Sequence, residues 1–207
     1  MTTPSLEIPY FPVEGVTLPK ELRDSLVERG ARHDYAPDLH RSVNEITEIS
    51  KHVESHPANE GIRYNWVGLH PFDENAEEME EFNADLSVVH ALFTPKAQRR
   101  IIYYIVGSCE PYGGMSPHMD AGTFEHHRRC VMFFPLSPYN AEEWATLKFY
   151  RPDGEILEVP FQPCYVGNTE AVHGYDNNEH YRYNLQVAFG CTISELHELH
   201  KEGNLIA

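Results

Sequence analysis

The chain has 207 residues, 41% of them hydrophobic, and a formal net charge of −16. A chain this long can bury roughly 70% of its unfolded surface, so one domain without disulfide staples is expected. The acidic balance repels phosphate backbones and argues against DNA or RNA as a substrate, while tolerating neutral or cationic ones. No stretch approaches the ~20 apolar residues of a membrane span. Met1 to Glu14 holds no basic segment followed by an apolar run, so a cytoplasmic protein without a secretory leader is expected. Cys109, Cys130, Cys164 and Cys191 lie far apart, with no Cys-x-x-Cys, and read as reduced core residues.

The first 18 residues carry Pro4, Pro9 and Pro12 and read as an extended arm, with an edge strand through Leu6, Ile8 and Tyr10. Pro19 can open a helix over Lys20 to Glu28 that stops at Gly30, with Leu22, Leu26 and Val27 as its apolar stripe. Leu39, Val43, Ile46, Ile49 and Val53 keep helical spacing until Pro57. His33, His40, His52 and His56 fall in this region, and only His52 and His56 stand one helical turn apart. They read as surface histidines. Ile62 to Leu69 alternates and is aromatic, which predicts a strand, and Trp66 to Phe72 is a candidate lid.

An acidic helix follows. Met79, Phe82, Leu86 and Val89 form one face, and Glu77, Glu78, Glu80 and Glu81 face water near the favourable end of the macrodipole. Thr94 and Pro95 start a short turn of helix. From Arg100 onward the period becomes strand-like, with Gly, Pro and Asn punctuation. Asp153-Gly154 marks a turn between Phe149-Tyr150 and Ile156-Leu157. Ser194 can cap a last helix from Glu195 to Glu202. About eight short strands, counting those of the N-terminal part, predict two packed antiparallel sheets in a double-stranded β-helix (jelly roll) with flanking helices, mainly β in an α+β chain.

Three potential metal ligands and one arginine punctuate the strand-rich half. His118 and Asp120 stand two apart after a glycine-rich turn, so on a regular strand they share a face. His173 comes 53 residues after Asp120, and Arg182 nine residues after that. Two imidazoles and one carboxylate on one side of a metal leave the opposite side open, which suits a non-haem Fe(II) that binds oxygen and an organic ligand together. Arg182 opens an apolar run, Tyr183 to Phe189. A guanidinium there implies an anion, because a buried cation without a partner is costly.

On these residues the stretch from Arg100 to Cys191 resembles the Fe(II)/2-oxoglutarate-dependent dioxygenase superfamily, in its prolyl-hydroxylase-like branch. The matching runs are Ile101 to Cys109, Tyr112 to Asp120, Arg129 to Leu136, Leu147 to Tyr150, Gly154 to Pro160, Cys164 to Asn168, and Arg182 to Phe189. The resemblance implies Fe(II) on His118, Asp120 and His173, and O2 as oxidant. It also implies that 2-oxoglutarate is anchored by Arg182. Family members often carry Ser or Thr two residues after that arginine, where Asn184 stands here, and a tyrosine on the strand where Phe133, Phe134 and Pro135 stand. Asn184, Tyr104 and Ser108, with Tyr103 beside them, are therefore candidates for the second cosubstrate contact. Tyr112, Met115, His127, Arg128 and Tyr175 are candidate substrate contacts, with His126 and Arg129 alongside.

The implied reaction is hydroxylation of a C–H bond of a small molecule or amino acid, with release of succinate and CO2. Asp120 favours this outcome, since halogenating members lack the carboxylate. Prolyl or other protein hydroxylation is the first alternative, and a non-catalytic 2-oxoglutarate sensor the second. The expected organisation is one domain over 1–207. Residues 1–95 support it, 96–191 form the catalytic core and 192–207 a terminal helix. A homodimer through the N-terminal helices is left open.

Overall fold

The computed structural model describes residues 8–33, 64–69, 77–109, 111–112, 114–120 and 128–207. Among the described residues the order is β1 (Tyr10–Pro12), α1 (Lys20–His33), β2 (Tyr64–Leu69), α2 (Glu77–His90), α3 (Pro95–Gln98), β3 (Ile101–Cys109), β4 (Gly114–His118), β5 (Cys130–Ser137), β6 (Lys148–Tyr150), β7 (Ile156–Glu158), β8 (Tyr165–Asn168), β9 (His173–Asp176), β10 (Arg182–Phe189) and α4 (Ile193–Lys201). Ten strands thus stand where about eight were expected. They form a six-stranded sheet, β1-β8-β5-β10-β3-β2, and a four-stranded sheet, β4-β9-β6-β7. Every strand pair is antiparallel. No helix among the described residues is long and apolar enough to cross a membrane.

The central strands β3, β5 and β10 are buried at nearly every position, which marks a sheet covered on both faces. Alternation then sorts each strand between two cores. Cys130, Met132, Phe134 and Leu136 of β5 join Leu185 and Val187 of β10 under the helices, against Leu22, Leu26, Val89 and Leu196. Val131 and Phe133 turn the other way, with Tyr103, Ile105 and Ala188, and meet Phe149 and Tyr175 of the smaller sheet. The result is three layers: helices, large sheet, small sheet. All four cysteines are free and buried.

Helix α1 runs through Gly30 to His33 rather than stopping at the glycine. A β-carbon at Gly30 would lie 3.0 Å from Val106 Cγ1 and 3.4 Å from Tyr183 Cδ1. This glycine therefore marks the close approach of a helix to the sheet, not a terminus. Arg29 Nε donates to the Asp85 carboxylate at 2.9 Å and joins α1 to α2. The periodic segment 39–53, with His40, His52 and His56, lies outside the described residues. Within the candidate lid, residues 66–69 are part of the edge strand β2, with Trp66 opposite Gly107, and 70–72 lie outside the described residues.

Helix α4 begins two residues earlier than expected, with Thr192 as its cap in place of Ser194. The Glu195 amide donates to Thr192 Oγ1 at 3.2 Å, and Thr192 returns its own amide to the Glu195 carboxylate at 2.8 Å. These hydrogen bonds hold the Glu195 carboxyl below its usual range. Thr192→Ala is expected to destabilise the protein by about 1 kcal/mol in urea unfolding. A carboxyl with a depressed folded pKa stabilises above its unfolded pKa and stops doing so as pH falls through the folded value. The gap between wild type and variant should accordingly narrow in acid.

Candidate active site

The two histidines of the motif are neighbours across one strand pair. Strand β4 lies antiparallel to β9, with Gly114 opposite Asp176, Met115 opposite Tyr175 and His118 opposite His173. The register slips between Met115 and His118, where Pro117 has no amide to give the ladder. Such a bulge re-aims the side chains beyond it. The edge position of β4 makes both tolerable. Gly114 is fixed by space: a β-carbon there would sit 2.6 Å from the Tyr175 carbonyl oxygen and 3.2 Å from Asp176 Cα. Gly114→Ala must part the backbones of β4 and β9. We expect a loss of about 1–3 kcal/mol in urea unfolding together with weaker Mn(II) binding in a titration.

His173 is 2% exposed. Its Nδ1 lies 2.9 Å from the Ala171 carbonyl oxygen. A carbonyl only accepts, so Nδ1 carries the proton and Nε2 presents the lone pair that a metal needs. Asp120 is held through both backbone and side chain. Its amide donates to the Thr169 carbonyl at 2.9 Å. Its carboxylate receives Arg128 Nε at 2.5 Å. Arg128 Nη1 donates in turn to Gln186 Oε1 at 3.1 Å, and Gln186 Nε2 to Asn184 Oδ1 at 2.9 Å. A polar chain therefore runs from Asp120 across to β10. Among the described residues no three His, Cys, Asp or Glu side chains converge on one point. His118 is described through its backbone, which register sets directly beside His173. Two histidine positions in register and one oriented carboxylate near the end of the same strand pair are a donor set of the kind that suits Fe(II) or a similar divalent ion.

Arg182 lies at the start of β10 and is 2% exposed. Its guanidinium carbon stands 4.3 Å from the Trp144 ring centroid and 4.1 Å from that of Tyr175. Among the described residues no carboxylate pairs with it, and its Nε and Nη2 are buried without hydrogen-bond partners. Stacking on two rings offsets part of the desolvation of a buried guanidinium but satisfies none of its N–H groups. An anion such as a carboxylate matches those donors.

The other expected site residues divide. Asn184 shares the face of Arg182, two residues along β10. Tyr104 does not: it belongs to the core under the helices, where its hydroxyl is hydrogen-bonded to His90 Nδ1 at 2.6 Å. Ser108 has the same parity on β3 and follows it to that side. Tyr103 takes the opposite face, near Arg128 and Asp120; burial raises its pKa and Arg128 opposes the rise. Arg128 is engaged by Asp120 and Gln186, and Arg129 by Glu170 at 3.0 Å, so both guanidiniums serve protein carboxylates. Tyr175 is 3% exposed and lies under the Arg182 guanidinium. Tyr112 is 78% exposed in a turn, with φ at 58°. Met115 is placed through its backbone only, opposite Tyr175, while His126 and His127 lie outside the described residues.

Three residues enter that the sequence reading passed over: Gln186, Trp144 and Tyr165. Gln186 had a signal, since Arg182, Asn184 and Gln186 put polar groups at every second place of an apolar strand. Trp144 and Tyr165 reach Arg182 from a loop and from β8, and no local pattern marks them.

No family model matches this sequence, and no curated protein does. Among solved structures the chain is similar to a Pseudomonas putida prolyl-4-hydroxylase, at 16% identity over 87% of this chain and 90% of that one, with a TM-score of 0.48. It is also similar to the viral collagen prolyl hydroxylase of Paramecium bursaria Chlorella virus-1, at 9% identity over 88% and 96%, TM-score 0.48. A third similarity is to AviO1 from Streptomyces viridochromogenes Tue57, at 17% identity over 88% and 88%, TM-score 0.46.

Proposed function

We propose that this chain is an Fe(II)- and 2-oxoglutarate-dependent oxygenase that hydroxylates a C–H bond of a small molecule or amino acid. The observation that carries the reading is Arg182. It is a buried cation whose Nε and Nη2 have no hydrogen-bond partner among the described residues, set in the same inter-sheet space that receives Asp120 and His173. A structural arginine in such a place would have a carboxylate of its own, as Arg128 and Arg129 do. We read the two facing sheets as the double-stranded β-helix of the resemblance, with the whole chain forming one domain around it.

In this reading His118, Asp120 and His173 hold Fe(II), and Arg182 takes the far carboxylate of 2-oxoglutarate. Bound Fe(II) would supply oxygen activation coupled to decarboxylation of 2-oxoglutarate to succinate and CO2. The chain's own part is orientation and exclusion of water. The Ala171 carbonyl fixes the His173 tautomer. Arg128 holds the Asp120 carboxylate in one orientation, and Gln186 holds Arg128. Phe133, Phe149, Tyr103 and Tyr175 line the space between the sheets with apolar surface that strengthens these electrostatic contacts.

The test is succinate formation from 2-oxoglutarate by anaerobically Fe(II)-loaded protein exposed to oxygen, with a panel of amino acids and prolyl peptides. Turnover stimulated by one panel member, and abolished by His118→Ala, supports the reading and identifies the substrate class. A peptide as the sole stimulant would move the assignment to a protein hydroxylase. Failure of the iron-loaded protein to bind 2-oxoglutarate at all would overturn it.

A further inference from the structure

The tyrosine that relatives use on the strand after the His-x-Asp motif is absent from β5, where Phe133, Phe134 and Pro135 stand. The adjoining strand carries another. Tyr165 of β8 pairs in register with Phe133 and stacks on its ring, with centroids 5.0 Å apart and planes at 18°. Tyr165 is 1% exposed, and its hydroxyl is buried with no hydrogen-bond partner among the described residues. Burial raises this phenol to about 12, and the Arg182 cation opposes the rise. Among the described residues Arg182 Nε and Nη2 are likewise buried without hydrogen-bond partners. A buried hydroxyl left unpaired costs about 1–3 kcal/mol. Two such costs side by side, one on a cation and one on a neutral O–H donor, are relieved together by one carboxylate, which accepts from both.

Asn184, the other candidate for this role, is differently engaged. Its Oδ1 accepts from Gln186, which holds Arg128, which holds Asp120. That chain serves the metal-ligand side of the site. We propose that Tyr165 is the second anchor of the far carboxylate of 2-oxoglutarate, donating its phenolic proton while Arg182 supplies the charge. This rests on the functional reading above and assigns the contact to β8, the strand beyond the one where the hydroxyl is missing.

Tyr165→Phe keeps the ring and its stack on Phe133 and removes only the donor. Binding should be measured by anaerobic calorimetry on Fe(II)-loaded protein with two probes, 2-oxoglutarate and 2-oxobutyrate. The second keeps the 2-oxo acid head and lacks the far carboxylate. We expect the variant to bind 2-oxoglutarate ~10–100-fold more weakly, the worth of a hydrogen bond to a charged group. Its 2-oxobutyrate affinity, iron content and melting temperature should stay at the wild-type values. Equal affinity of variant and wild type for 2-oxoglutarate would overturn the inference and leave the functional reading standing. So would an equal loss for both probes, which would make Tyr165 a packing residue. A wild type that binds iron but not 2-oxoglutarate would overturn the functional reading, and this inference with it.

Discussion

Replacing Arg182 by methionine is expected to abolish 2-oxoglutarate binding without weakening the empty fold. The two halves of this result have different causes. In the complex the guanidinium meets a carboxylate in a dry pocket, and removing one partner of such a pair costs roughly 3–5 kcal/mol, or about 10²–10³-fold or more in affinity. In the empty protein the same cation is desolvated with no counter-charge among the described residues, and two of its N–H nitrogens are unpartnered. The rings of Trp144 and Tyr175 return only about 0.5–2 kcal/mol each. Methionine fills similar volume with no charge to desolvate, and its thioether also sits well against aromatic rings. Thermal unfolding of the empty variant should therefore match wild type or exceed it by up to about 2 kcal/mol, a rise of roughly 4–8 °C at this chain length. A structural arginine predicts the reverse, a clear drop in melting temperature. The measurement that decides is the pair: calorimetric affinity for 2-oxoglutarate and the melting temperature of the metal-free protein. A destabilised variant that still binds 2-oxoglutarate would remove Arg182 from the site.

Sequence and structure agree most where the signal is periodic, and diverge where a contact is made in three dimensions. The run Arg182, Asn184, Gln186 is polar at every second residue, so its shared face follows from the pleat alone. The pairing of His118 with His173 is legible only in outline. Spacing demands two strands, but the bulge at Pro117 that sets the register is a property of the folded pair. Tyr103 and Tyr104 show the limit on one strand. Alternation says that they face opposite ways, yet only the position of His90 on α2 and of Arg128 before β5 decides which way is inward. Gly30 shows how a local rule is overridden. A glycine late in a helix reads as a stop, whereas here the missing side chain lets α1 lie against Val106 and Tyr183. The cap of α4 falls at Thr192, two residues before the Ser194 that the sequence suggested. Thr192 wins because it places Glu195 at the third helical position, where the reciprocal bond can form. Tyr165 was beyond reach of any local pattern, since β5 separates its strand from Arg182 on β10.

His173→Ala should remove the metal. Loss of a mere supporting contact to a ligand typically costs 10–100-fold in metal affinity, so loss of the ligand itself should exceed about 10²-fold. His173 is suited to this test because its role is fixed from both sides. The Ala171 carbonyl takes the Nδ1 proton, and β9 sets the ring beside β4 within the small sheet. The expected readout needs no turnover. A divalent ion that binds only the folded state stabilises it by about 2.7 kcal/mol at a hundredfold excess over its dissociation constant, and the melting temperature rises accordingly. Wild type titrated anaerobically with Mn(II) or Fe(II) should show that rise, and His173→Ala should not. The variant's metal-free fold should lose only about 1–3 kcal/mol, since a buried ring and one hydrogen bond are gone. His200→Ala, on α4 among residues that touch Phe11 rather than the site, is the control and should keep the full metal-induced shift. If His173→Ala kept it as well, the ion would be bound elsewhere, and the pairing of β4 with β9 would have to be explained without a metal. If wild type showed no shift while Asp120 stayed paired with Arg128, that ion pair would be the resting function of the carboxylate, and the metal-centre assignment would fall.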